Sequence, residues 1–441
     1  MGVLGELAAR GGRAARTADA EARRLAGLHV LDTLGCVAAG ASHPLARDLA
    51  ALAELGGEGD VAVLGLGGRR SLRTAVLVEA ALAHVDEFDA VHPGGAVVPA
   101  AVAVPAALAV AAREGRAGRD VVDAVLAGYE VVAEAGLRFG GTALYGRGWW
   151  PTALFGALGS AAATASLLGL GPARTEAALA LAAAGLGGLL SGDVLGAGHY
   201  LLVGRAAADG VEAAYLARAG ADASPTLLDG PATAALGDPA GPGSPAGVPH
   251  LTRCPIKRYP CARPLHAALD ALADLGAAGT PLKEVQRIEI GLPGPLLRFV
   301  TADRDPAGPT EAAASAAFAA AALLAGRAGD VAFFRGPLPA DAPEVVLAAD
   351  PSLDSLLPER WAARVTVRLP GGETARAFAD GAAEPSAADV VAKFRRQTGA
   401  DGRADDWISR CLMLDTVSDA DALRRAFPAP GGYALPYPVR N

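Results

Sequence analysis

The sequence predicts a mainly α protein with an α/β part, built as a large all-helical domain followed by a smaller α/β domain. Three observations carry this. At 441 residues the chain is too long for a single core. Residues 1 to about 225 run as successive apolar segments with three- and four-residue spacing, punctuated by Gly and Pro. Beyond Pro225–Gly247, a stretch of Gly, Pro, Asp and Ser, the texture changes and strand patterns enter.

The elements follow in order. A charged, helical start leads into helices expected at Ala20–Gly40, Ser71–Val85, Val97–Glu114, Asp120–Phe139, Pro151–Leu168, Thr175–Ala184 and Gly204–Ala217. After the loop, a helix over Pro264–Leu275 precedes VQRIEIGL (Val285–Leu292), which alternates apolar and polar residues as a strand does. An Ala-rich helix over Thr310–Ala325 separates it from a second such strand, ARVTVRL (Ala363–Leu369), which runs into a turn at Pro370–Gly372. Helix 388–398 follows, and the tail returns to helix. The expected domains are therefore 1–253, completed by 400–441, and 254–399.

Composition narrows the function. Hydrophobic residues make up 52% and charged residues 20%, so large buried surfaces are expected. A net charge of -8 with scattered arginines offers no basic stripe for nucleic acid. Apolar runs such as Val97–Ala112 and Ala177–Leu190 are Ala/Gly-rich and broken by Gly or Pro, which suits closely packed helices rather than membrane spans. Four cysteines show no CxxC or zinc spacing, and the start is not signal-like, so reduced thiols in a cytoplasm are expected. Neither GxGxxG nor GxxxxGK[ST] occurs, so no nucleotide is implied.

Chemistry concentrates in AHVDEFDAVHPGGAVVP, Ala83–Pro99. It gathers Asp86, Glu87 and Asp89 with His84 and His92, and the whole chain has only seven histidines. Between apolar helices such a group supplies an acid, a base and burial to shift them. The alternative is a solvated helix end with a structural His-Pro turn. Two His and three carboxylates could also hold a metal, but no further ligand stands at the expected spacing, so none is expected. A second locus, RCPIKRYPCARPLH (Arg253–His266), sets Arg253, Lys257, Arg258 and Arg263 with Tyr259 and His266 at the domain junction. Its cations either clamp a carboxylate or face water at a hinge. Trp149 and Trp150 could line a pocket or fill a core, and His199 sits in a Gly-rich approach to a helix.

These segments, in this order, resemble the MmgE/PrpD family, which includes 2-methylcitrate dehydratase and cis-aconitate decarboxylase. The family's H-x-x-D-F-D-D-T…H-P is echoed by His84, Glu87, Phe88, Asp89 and His92–Pro93; G-F-H-P-T-x-x-x-G by Gly148–Thr152 and Gly156. K-x-L-H-x-G-[KR]-A-A is similar to His199–Ala207, and K-[PR]-[YF]-P…H to Lys257–Pro260 and His266. VTVRLPGGE and AAEPSAADVVAKFRR resemble the strand and helix closing the family's lid domain. The resemblance implies a helical domain built from both chain ends, an α/β lid, a homodimer and a metal-free, cofactor-independent site between the domains. It also implies chemistry that begins by removing a proton beside a carboxylate.

Several positions depart from the pattern. Glu87 stands where the family has its catalytic Asp, Ala90 replaces the second Asp of the run, and Trp150 the pocket His. His199 replaces the family's Lys, Leu202 its His, and Phe318 an aromatic Tyr. Lost polar groups and added apolar walls predict a small carboxylate substrate with fewer charges and more hydrocarbon than methylcitrate, possible in secondary metabolism. The expected reaction is a dehydratase-type lyase. Glu87, His92 and Lys257 are its expected catalytic residues, and Asp86, Asp89, Trp150, His199, Arg258, Tyr259, His266 and Phe318 are expected to bind substrate. A decarboxylase or isomerase sharing the carbanion, or a non-catalytic binding protein on the same fold, are the alternatives. The lyase reading further expects His92 and Lys257 to face one cleft.

Overall fold

A computed structural model describes residues 2–190, 196, 198–230, 233–237, 239, 244, 247–399, 402–425 and 427. The larger body contains α1 (Val3–Thr17), α2 (Ala20–Gly40), α3 (Ala46–Leu55), a small hairpin of β1 (Glu58–Ala62) and β2 (Arg69–Arg70), then α4 (Leu72–His84), α5 (Pro99–Arg113) and α6 (Gly118–Arg138). It continues through α7 (Pro151–Leu167), α8 (Pro172–Ala184), α9 (Gly198–Arg218) and the short α10 (Thr233–Leu236). Helix starts follow their sequence signals. Asp19 caps α2 by accepting from the Ala22 N–H at 2.8 Å, Ser71 caps α4, and α5, α7 and α8 begin on Pro. Only α9 starts well ahead of expectation, because its Gly-rich opening is already helical.

The smaller body begins with α11 (His266–Ala277) and β3 (Arg287–Leu292), followed by α12 (Pro309–Ala314), α13 (Ala316–Leu324) and α14 (Val331–Phe334). Next come β4 (Glu344–Ala349), β5 (Ala363–Arg368) and β6 (Thr374–Ala379). The sheet order is β4-β3-β5-β6, with β3 and β4 parallel and the other pairs antiparallel. The two predicted strands are the central ones. The two edge strands were not expected, and β6 shows why, since none of its residues is fully buried. The helix expected over Thr310–Ala325 is broken at Ser315, whose neighbours exchange backbone bonds with Thr301 (2.9 and 2.8 Å).

The larger body holds a main hydrophobic core and two further clusters, the smaller body one core, and the chain passes from the main core to that of the smaller body between Ile256 and Tyr259. It returns earlier than expected. Helix α15 (Ala387–Thr398) had been placed in the smaller domain, yet Val390 and Phe394 are buried in the larger core, and α15 packs on α2. α16 (Gly402–Leu412) and α17 (Ala420–Arg425) join the same core, and buried Arg424 pairs with Glu79 of α4. The rest of the helical tail expectation lies outside the described residues. Among the described residues no helix is long and apolar enough to cross a membrane.

Candidate active site

A cavity of about 110 Å³ lies between the bodies. The larger body lines it with His84, Glu87, Tyr145, Trp150, Thr152 and His199; the other side is Arg263, Phe299 and Trp361, with Lys257 from the connecting segment. Its walls are mostly apolar, and its polar groups converge.

His84 ends α4, and the chain turns at once, the Glu87 N–H donating to the His84 carbonyl at 2.9 Å. Glu87 takes a left-handed backbone conformation, φ +50°, which costs a residue with a side chain on the order of 1 kcal/mol. That turn aims its carboxylate into the cluster. Oε1 lies 3.3 Å from His84 Nε2 and 3.2 Å from His199 Nε2, and the two imidazole nitrogens are 2.9 Å apart. Oε2 accepts from Lys257 Nζ at 3.0 Å, and the same ammonium donates to the Glu87 carbonyl at 2.7 Å. Behind the cavity Asp89 bonds His84 Nδ1 at 2.8 Å, fixing that ring's orientation. Trp150 stacks on His84 with ring centres 5.5 Å apart and meets His199 edge-on at 4.7 Å.

His199 reaches this point because α9 presses against α4. A Cβ on Gly204 would sit 2.4 Å from the Leu77 carbonyl oxygen, so glycine there permits the approach. Lys393 of α15 joins the other two segments. Its buried ammonium pairs with Asp32 at 2.6 Å and donates to the carbonyls of Phe88 (2.7 Å) and Lys257 (3.1 Å). The loop carrying Glu87 and the connecting segment carrying Lys257 are thus tied to one cation.

Electrostatics separate the groups. Burial alone would raise the Glu87 carboxyl, but Lys257, then His84 and His199, hold it well below its ordinary range. Burial alone would lower His84, yet Asp89 and Glu87 keep it above its ordinary value. Burial dominates at His199 and lowers it. The site therefore favours charge on Glu87 and His84 more than free groups would, and disfavours it on His199. Arg263 is the other charged wall. Its guanidinium is buried, which lowers it to about 10, and Nη1 has no hydrogen-bond partner among the described residues.

Of the expected site residues, Glu87, Lys257, Trp150 and His199 line this cavity. The others do not. His92 was expected to face the same cleft as Lys257, and it turns elsewhere. Its Nδ1 accepts from the Gly95 N–H at 3.0 Å, holding the HPGG turn, and its ring meets His250 edge-on at 5.1 Å. Burial, then the charges of His250 and Arg253, push it down to about 3. Asp86 pairs with Arg335 of the smaller body at 2.7 Å, and Asp89 acts on His84 from behind. Arg258 and Tyr259 both bond Asp270, at 2.7 and 2.6 Å, which holds them away from the cavity. His266 lies against the Cys261 carbonyl, and Phe318 is buried in the smaller core. His84, of the acid–base group, and Arg263, one of the cations able to clamp a carboxylate, also line the cavity, although neither is among the expected site residues; Tyr145, Phe299 and Trp361 carry no local signal. The expectation that no further metal ligand stands nearby also fails, because His84, Glu87 and His199 together offer three ligand atoms. Spacing along the chain hid a group 115 residues from His84.

Comparison with known proteins places this geometry. The MmgE/PrpD N-terminal domain matches residues 12–236, and the MmgE/PrpD C-terminal domain residues 259–407. The cis-aconitate decarboxylase-like protein oryM of Aspergillus oryzae is 27% identical over 199 residues, 43% of this chain and 41% of its own. A cis-aconitate decarboxylase of Aspergillus terreus strain NIH 2624 / FGSC A1156 is 30% identical over 206 residues, 45% of this chain and 42% of its own. The chain thus matches less than half the length of these relatives.

Proposed function

We propose, from the premise that this chain belongs to the MmgE/PrpD family, that it is a lyase acting on a small carboxylic acid with few charges and an apolar body. One observation carries the reading: Glu87, held between two imidazoles and Lys257, shares a mostly apolar cavity with Arg263, whose buried Nη1 has no hydrogen-bond partner among the described residues.

The substrate carboxylate pairs with Arg263, whose fork suits bidentate recognition. A buried guanidinium nitrogen without a partner is costly, and an anionic ligand removes that cost. Glu87 removes the proton beside the carboxylate, and Lys257 offsets the charge that develops on the enolate. His84, supported by Asp89, donates its proton to a leaving hydroxyl, so that water departs. Trp150, Phe299 and Trp361 exclude solvent and favour hydrocarbon over further carboxylates. A second reading has carbon dioxide leave and the carbanion take up the proton instead; the names of the Aspergillus relatives favour it.

The test is hydrogen exchange in deuterated water, followed by NMR, on hydroxy- and unsaturated carboxylates of graded hydrophobicity. Label should enter beside the carboxylate, most readily in singly charged acids, and Arg263→Gln should raise KM at least ~10-fold, the scale of a charged hydrogen bond. Folded protein that labels none of them sinks the lyase reading in favour of a binding protein on this fold.

A further inference from the structure

We propose that Arg335 is a positioning residue for the proton-removing step: carried by the smaller body, it pairs with Asp86 and holds the turn that aims Glu87 into the cavity. The inference rests on the lyase reading and adds to it a residue that acts from outside the cavity, since neither Arg335 nor Asp86 lines it. Arg335 Nη2 donates to both oxygens of Asp86, at 2.8 and 2.7 Å, and to the Ala39 carbonyl at 2.9 Å; Nε adds a longer bond of 3.3 Å. Ala39 lies in the last turn of α2, and Asp86 two residues beyond the end of α4. One guanidinium thus pins two helix C-termini, where the partial negative charge of each helix end favours a cation. The Asp86 and Arg335 side chains are only 7% and 15% exposed, so separating them strands a poorly hydrated carboxylate.

Asp86 directly precedes Glu87, whose φ of +50° a residue with a side chain abandons unless its surroundings hold it. Three cations do the holding. Lys393 binds the Phe88 carbonyl, Lys257 the Glu87 carbonyl, and Arg335 the Asp86 carboxylate. Lys393 belongs to α15 of the larger body and Lys257 to the connecting segment; of the three, Arg335 is the one fixed in the smaller body. It follows α14, whose Phe333 and Phe334 are buried in the smaller core and whose start Asp330 caps by accepting from the Ala332 N–H at 2.9 Å. Its guanidinium therefore moves with that body. The cavity lies between the bodies, and His84, His199 and Lys257 are buried in it, so a substrate reaches them as the bodies part. Parting draws Arg335 from Asp86 and releases one end of the turn; closure over the substrate restores the pair and sets Glu87. The base is thus fully aimed only while water is shut out. No local signal marks this role, because Arg335 stands 249 residues from Asp86.

The experiment uses the full chain with Arg335→Gln, Arg335→Lys, Asp86→Asn, and Arg335→Gln combined with Asp86→Asn. Amide hydrogen exchange, read by mass spectrometry without substrate, tests the turn itself. Peptides covering 85–90 should exchange faster in Arg335→Gln, where the Glu87 N–H that bonds the His84 carbonyl reports directly, and peptides of α6 should not. Label uptake by the best acid of the panel tests the consequence. Its kcat should fall about 10–100-fold, the scale of a misplaced catalytic group, with KM changed less than about threefold. Arg335→Lys should recover part of the loss, and the double variant should be no worse than either single one, since the two side chains act as a pair. Faster exchange throughout the fold, unchanged exchange over 85–90, an unchanged kcat in folded Arg335→Gln, or losses that add in the double variant would overturn the proposal. Wild type that labels no acid removes the lyase reading, and amide exchange then decides by itself whether Arg335 holds the turn.

Discussion

Two buried clusters in this molecule have nearly the same ingredients. One is His84, His199 and Glu87; the other is His92, His250, Glu130 and Glu134. They differ in what faces them. The second has its carboxylates bound by protein, although His92 Nε2 and His250 Nδ1 are buried without a hydrogen-bond partner among the described residues. Glu134 accepts from His250 at 3.0 Å and from Arg138 at 2.9 Å, and Glu130 accepts from Arg10 at 2.7 Å and from the His250 backbone at 2.8 Å. These bonds tie α1, α6 and the 250 turn together, and the cluster does not line the cavity. In the first cluster the three atoms converge on one another beside open space. A histidine beside a carboxylate is therefore neither structural nor reactive in itself. What separates the two clusters is whether their groups border the cavity.

The comparison breaks most visibly at Glu87. Glu87→Gln keeps size and shape but removes the charge that Lys257 and the imidazoles surround, and exchange should fall by about 10²–10⁴-fold, the range for losing general acid–base help. The circular dichroism spectrum should not change. A variant with wild-type exchange would place the proton-removing group elsewhere in the cavity.

At the second cluster the same kind of substitution should show up in stability and not in turnover. Burial would raise the Glu134 carboxyl, but bonds from His250 and Arg138 and the Arg10 charge lower it to about 2, from an ordinary 4.5. A carboxyl depressed on folding contributes stability that is complete above the ordinary value and is lost as pH falls toward the lowered one. Urea midpoints of wild type and Glu134→Gln should therefore differ most above pH 4.5 and converge toward pH 2. A gap that stays constant with pH would mean the bonds contribute through shape alone.

Much of this was legible in the sequence. The helices of the larger body announce themselves by period and by their Pro, Ser and Asp starts, and the two central strands by alternation. Edge strands were missed because a half-solvated edge needs little pattern. In the site, Glu87, Lys257, Trp150 and His199 could be named from motifs because each lies in a short run of distinctive residues. Their partners could not. Arg263 and Arg258 sit in one basic run five residues apart, and nothing local says which enters the cavity and which bonds Asp270. His84 and His92 are two histidines of one motif, and only the turn between them, with Glu87 at positive φ, sends one inward and the other to the back of the loop.

His92 gives the smallest and sharpest test of that turn. Its Nδ1 accepts from Gly95, so His92→Ala should cost about 1 kcal/mol at neutral pH, the usual net value of one such bond. Exchange should stay within about threefold of wild type, since no reacting group depends on it. The pH dependence runs in the same direction as that of Glu134, in a higher window. Burial keeps the His92 imidazole neutral down to about 3, against an ordinary 6.5, so folding must withhold a proton that the unfolded chain accepts. Its contribution is complete above pH 6.5 and shrinks steadily as pH falls toward 3. Wild type and variant should approach one another, and even cross, in mildly acidic urea titrations. A 100-fold loss of exchange in His92→Ala, with stability untouched, would put His92 back among the reacting groups and dissolve the distinction between the clusters.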